Sequence, residues 1–137
     1  MLVTTYKLRV RYAETDKMGY AYYGVYSTYL EIARVEALRS IGVSYAAMES
    51  AGTMLPVRDV QLRYRRPLKY DEEFTVTTTV ATLPQGSRLH FSYQIHNEAG
   101  ELCTEAETTL VFADTQTGRP IPPPPAFLAS LAPFIAE

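Results

Sequence analysis

Cysteine occurs once in these 137 residues, at Cys103, and tryptophan not at all. One thiol excludes an internal disulfide and any multi-cysteine metal site, and it fits a reducing compartment. Histidine is almost as scarce, with only His90 and His96. No HExxH or comparable ligand spacing is present, so no metal and no resident cofactor are expected. Neither sign of charge dominates: 13 basic and 15 acidic residues leave a net charge of −2. That excludes the basic footprint of a nucleic-acid-binding domain. Long apolar runs are missing too. MLVTTYKLRV is too short in its apolar run for a signal peptide, and no stretch could span a bilayer. The expectation is a cytoplasmic protein with no membrane and no nucleic-acid partner.

What is present is an ordinary globular balance, 47% apolar and 20% charged, in a chain of single-domain size (1–137). Tyrosine is in excess, with 11 copies, several of them clustered at Tyr20, Tyr22, Tyr23, Tyr26 and Tyr29. A pocket wall that is apolar on one side and wet on the other would use them.

Residues 3–12 alternate, with Leu8, Val10 and Tyr12 on one face and Lys7, Arg9 and Arg11 on the other. This is the pattern of a half-buried strand. Residues 13–22 carry Glu14, Asp16 and Gly19 without helical period and are expected to form a loop. A helix follows from Gly24 to Ile41, with Tyr26, Tyr29, Leu30, Ala33, Ala37 and Ile41 on one face. It is apolar on several sides, as a helix wrapped by a sheet would be. Gly42 suits its C-terminal cap, and Ser44 an N-cap for a short helix through Glu49.

From Leu55 onward the chain reads as β. Val60, Leu62 and Tyr64 alternate with polar residues, and Val57 is out of phase, which predicts a bulge near Arg58 and Asp59. Strands follow over Phe74–Val80, Leu89–Ile95 and Leu102–Ala113, with turns at 84–87 and 97–100. The proline-rich tail cannot be a central strand and is expected to end in a short helix, Ala126–Ala136. The class is α+β, an antiparallel meander curled around one long helix.

An acidic loop feeding a helix front is a plausible site for carbonyl chemistry. The helix end offers free N–H groups and partial positive charge, and the loop a carboxylate. Asp16 reads either as nucleophile or general base, or as an Asx-turn residue. Glu14 reads as a solvated or ion-paired residue. Glu31 is better read as an i,i+3 partner of Arg34. Arg34, Glu36 and Arg39 read as structural or interface charges. His90 and His96 fall on the face opposite Leu89, Phe91, Tyr93 and Ile95 and read as outward or interface histidines. No G-x-S-x-G elbow is present. Gly86-Ser87-Arg88 is too short for a known phosphate loop and reads as a plain turn.

The run Tyr12-x-Glu14-Thr15-Asp16-x-x-Gly19-x-x-Tyr22-Tyr23-x-x-Tyr26, followed by Glu31-x-x-Arg34-x-Glu36, resembles the 4-hydroxybenzoyl-CoA thioesterase family. Tyr64-x-x-Pro67 with Asp71, and Asp114-x-x-Thr117-Gly118-Arg119-Pro120, extend the likeness over nearly the whole chain. The resemblance implies the hot-dog fold and hydrolysis of an acyl-CoA or aroyl-CoA thioester. It places the catalytic aspartate at Asp16, acting directly or through water, and the oxyanion donor at the backbone N–H of Tyr23. It implies substrate contacts at Tyr12, Gly24, Glu31, Arg58 and Arg88, with Arg65 and Arg66 as further candidates for coenzyme A phosphates. Tyrosine at position 23, where Tol–Pal-associated relatives carry histidine, leans towards an aryl acyl group. Glu14 replaces the first acid of the common D-x-D pair. The family forms homodimers or homotetramers with sites between subunits, which would set Val57, Arg58 and Asp59 against the partner's Asp16. A weakly catalytic thioester-binding protein and an acyl carrier protein thioesterase are the alternatives. A hot-dog dehydratase ranks low because the helix region holds no histidine.

Overall fold

The computed structural model describes residues 1–135. Five strands form one antiparallel sheet: β1 (Leu2–Arg9), β3 (Val57–Tyr64), β4 (Glu73–Val80), β5 (Arg88–Asn97) and β6 (Leu102–Val111). Their spatial order is β1-β4-β5-β6-β3. Tight turns at 84–87 and 97–100 join β4, β5 and β6 into the meander that the alternation predicts. The first strand adds itself to β4, with Leu2 opposite Val80 and Arg9 opposite Glu73. The bulge lies where the phase slip of Val57 puts it, between Val57 and Asp59 on β3.

The central helix α1 (Tyr26–Arg39) lies against β1 and β4. Its buried face carries Tyr26, Tyr29, Leu30, Ala33, Ala37 and Leu38. Inward residues of the meander meet it: Phe74 and Val76 on β4, Phe91 and Ile95 on β5, Ala106 and Leu110 on β6, all buried. The Tyr29 and Phe74 rings sit 4.7 Å apart. The helix is covered on one side only, since Ser27, Thr28 and Glu31 remain exposed. A short helix α2 (Tyr45–Ser50) is capped by Ser44, whose Oγ accepts the Ala47 N–H at 3.2 Å.

Some boundaries differ from the expectation. Strand β1 stops at Arg9, and Tyr12 to Glu14 make a 3-10 turn, so Tyr12 leaves the Leu8–Val10 face and is 80% exposed. The turn forms because the Glu14 side chain takes the Arg11 backbone N–H, which would otherwise continue a strand ladder. The helix begins as a 3-10 turn (Tyr23–Val25) before α1 proper. The last long strand ends at Val111; Ala113–Asp114 (β7) pairs with Thr53–Met54 (β2) in a separate two-stranded sheet. The terminal helix α3 spans Pro125–Ile135 and buries Phe127 and Leu131, while the expected end at Ala136 lies outside the described residues. The outer strand β3 is exposed along most of its length, with Val57, Val60 and Tyr64 at least 40% exposed among Arg58, Asp59 and Arg63, so one sheet edge is bare. No helix is long and apolar enough to cross a membrane among the described residues.

Candidate active site

The loop before the helix is held by its own backbone. Asp16 N–H donates to Tyr20 O at 2.8 Å, and Gly19 N–H returns to Asp16 O at 3.0 Å. Gly19 supplies φ +79°, a left-handed conformation that a β-carbon would strain. The Asp16 carboxylate is half used in this turn: Oδ1 accepts from Met18 N–H at 2.9 Å and from Tyr20 N–H at 3.3 Å. No hydrogen bond to Oδ2 is present among the described residues. The two readings of Asp16 are therefore compatible, because the turn bonds orient a carboxylate whose second oxygen stays open.

The segment then climbs to the helix. Tyr22 N–H donates to Glu14 O at 3.0 Å, and Tyr22 adopts extended dihedrals with no side-chain cap. Tyr23 is the first residue of the 3-10 turn that runs into α1, and its side chain is 78% exposed. Its N–H finds no backbone acceptor among the described residues, as expected for an uncapped helical start. Gly24 is close-packed: a Cβ there would meet the Tyr22 ring at 2.5 Å. Glycine thus lets the Tyr22 ring lie over the helix entrance.

Asp16 and Tyr23 line one open cleft of about 520 Å³, together with Tyr20, Tyr26, Tyr64 and Arg66. The Tyr26 and Tyr64 rings meet edge to face at 5.0 Å. Burial pushes the Tyr26 phenol up to about 12, so it remains a neutral wall. Arg65 and Arg66 also border the cleft; both also hold carboxylates, Glu105 at 2.6 Å and Glu101 at 3.4 Å.

Other predicted site residues lie elsewhere in the single chain. Tyr12 stands outside the cleft, its ring 5.8 Å from Tyr70. Glu31 borders a second pocket, between α1 and β3. Arg58, beside that pocket's Val57, sits 3.7 Å from its neighbour Asp59. Arg88 is exposed at the start of β5. No Glu31–Arg34 ion pair forms; the i,i+3 pair on this helix is Glu36–Arg39, at 3.3 Å. Arg34 is instead buried, only 7% exposed. Glu14 is not solvated either but 8% exposed, with Arg11 as ion partner at 2.9 Å. Tyr20, Tyr23 and Tyr26 belong to the tyrosine cluster that the sequence assigns to a pocket wall, whereas Tyr64, known only from the Tyr64-x-x-Pro67 motif, is the cleft tyrosine that sequence reasoning missed.

Residues 10–131 match the profile of the Thioesterase-like superfamily. The chain is 35% identical over 121 residues to YneP of Bacillus subtilis, provisionally named an acyl-CoA thioesterase, covering 88% of this chain and 87% of that one. It is 30% identical over 122 residues to the acyl-CoA thioester hydrolase YbgC of Escherichia coli O6:H1, covering 89% and 90%. The crystal structure of a DHNA-CoA thioesterase from Staphylococcus aureus superposes with a TM-score of 0.94 at 35% identity, covering 99% of this chain and 93% of that one.

Proposed function

Because the chain belongs to the Thioesterase-like superfamily and has its hot-dog fold, we propose that this hydrolase cleaves an aroyl-CoA or other bulky acyl-CoA thioester at the Asp16–Tyr23 cleft. The observation that carries the reading is the pairing of an open carboxylate oxygen with an uncapped helix-start N–H along one cleft. The thioester carbonyl oxygen accepts the Tyr23 N–H. As the carbonyl carbon becomes tetrahedral, the negative charge grows on that oxygen, where a fixed dipole stabilises it without reorganising. Asp16 either attacks the carbon, giving an anhydride that water opens, or takes a proton from the attacking water. In both routes the C–S bond breaks, coenzyme A leaves as thiolate and is protonated, and the free acid is released.

The tyrosine walls favour a flat acyl group, because aromatic faces pack edge to face at little entropic cost. The name of the Staphylococcus aureus relative points the same way. Arg65 and Arg66, at the cleft mouth, suit coenzyme A phosphates better than Arg58 or Arg88 of the same chain. The bare edge of β3, with its exposed Val57, Val60 and Tyr64, suits a second copy of the chain, which would bring Arg58 of the partner subunit towards the cleft.

The test is a panel of aroyl-CoA and alkanoyl-CoA esters followed with a thiol-detecting reagent. Catalytic thiol release, faster with aroyl esters, is expected. Stoichiometric binding without release would replace the enzyme by a thioester-binding protein.

A further inference from the structure

Arg34 is the odd charge in this molecule. Its side chain is packed between α1 and the sheet, beside the hydroxyls of Tyr45 and Tyr93. Yet its Nε has no hydrogen-bond partner, and neither does Tyr45 Oη. No carboxylate lies within ion-pair distance of it among the described residues. A guanidinium cannot neutralise itself by losing a proton, so a buried one calls for an anion.

The side chain also borders a pocket of about 270 Å³. Leu30, Val57 and Val60 form its apolar walls, and Thr108 and Glu31 add polar groups. Glu31 is exposed, so water weakens its charge far more than that of Arg34. Ser27 and Thr28 open this pocket directly after Tyr26, which lines the Asp16 cleft. Both cavities thus border the first turn of α1.

We propose that this pocket receives the far end of the acyl group and that Arg34 selects acyl groups ending in an anionic oxygen, a carboxylate or an ionised phenol. The proposal rests on the thioesterase reading above. It makes Arg34 a specificity residue whose role is separate from the chemistry at Asp16.

The test compares 4-carboxybenzoyl-CoA with 4-methylbenzoyl-CoA, which differ chiefly in that charge. For the wild-type chain kcat/KM is expected to favour the carboxylate at least tenfold. In Arg34→Met that ratio should collapse at least tenfold, mainly through KM, and Arg34→Lys should retain most of it. Equal use of both esters by the wild type, or an equal loss on both in Arg34→Met, would overturn the proposal. So would a changed assembly mass in Arg34→Met with the ratio intact, which would assign the counter-ion to a second copy of the chain. If the wild type cleaves neither ester, the aroyl-CoA reading above fails and the pocket is tested by thermal shift. Benzene-1,4-dicarboxylate should then raise the melting temperature of the wild type more than 4-methylbenzoate does, and Arg34→Met should erase that difference. Identical shifts in the two proteins would overturn the anion site as well.

Discussion

Glu14 and Asp16 are two carboxylates two residues apart, and the fold treats them in opposite ways. Glu14 is buried and saturated: Oε1 accepts from Tyr29 Oη at 2.8 Å and from Arg11 N–H at 2.9 Å, and Oε2 accepts from Arg11 Nε at 3.0 Å. Its backbone oxygen takes the Tyr22 N–H as well. Glu14 therefore joins the first turn, the central helix and the approach to Tyr23. Asp16 spends one oxygen on its own turn and leaves the other to the cleft. A carboxylate with every lone-pair direction filled is a fastener; one with an open oxygen beside a helix start is available for chemistry.

The largest expected effect comes from removing the open carboxylate. Asp16→Asn keeps an acceptor for Met18 N–H, so the melting temperature should hold, while thiol release falls on the order of a hundredfold or more. Unchanged turnover of a good thioester substrate would move the chemistry away from Asp16. Glu14→Ala inverts the pattern. It leaves the Tyr29 hydroxyl buried without an acceptor and frees Arg11, at a cost of about 2–3 kcal/mol seen as a lower denaturation midpoint. A Glu14→Ala protein as stable as the wild type would show that the clamp does not hold the loop. Tyr29→Phe removes one donor only and should cost about 1 kcal/mol in the same unfolding measurement. The smallest effect is in acid. Burial alone would raise the Glu14 pKa, but the Arg11 N–H, the Tyr29 hydroxyl and the Arg11 guanidinium together hold it below its ordinary 4.5. A depressed folded-state pKa stabilises fully above 4.5, and that part is lost as pH falls through the folded-state value. Wild-type stability should thus drop more steeply than that of Glu14→Gln below about pH 4.5; parallel acid limbs in urea titrations would contradict the assignment.

Particular elements explain how far the sequence could be read. The inward faces of β4 and β5 were legible because the strand period of two matches the alternation of Phe74, Val76 and Leu89, Phe91, Tyr93, Ile95. The β3 bulge showed as a phase slip. The helix was legible in extent to within about two residues, but not in which flank the sheet covers. Asp16 and Tyr23 could be placed at one loop-to-helix junction because that junction is local. Tyr12 was misplaced because the Glu14 side chain captured the Arg11 backbone N–H that a strand would have used. Arg34 was misread because helical spacing offers Glu31 as a partner, while burial at position 34 depends on strands far along the chain.

By itself the sequence determined the order of the long elements, the inward faces of β4 and β5, and the short-range junction that sets a carboxylate turn against a helix start. These follow from periodicities and hydrogen bonds spanning a few residues. Only the tertiary structure decided which charges are satisfied. Whether Glu14 is saturated, Asp16 half open or Arg34 unpaired depends on what β3, β5 and α1 bring together across tens of residues, and charge satisfaction is a property of that enclosure.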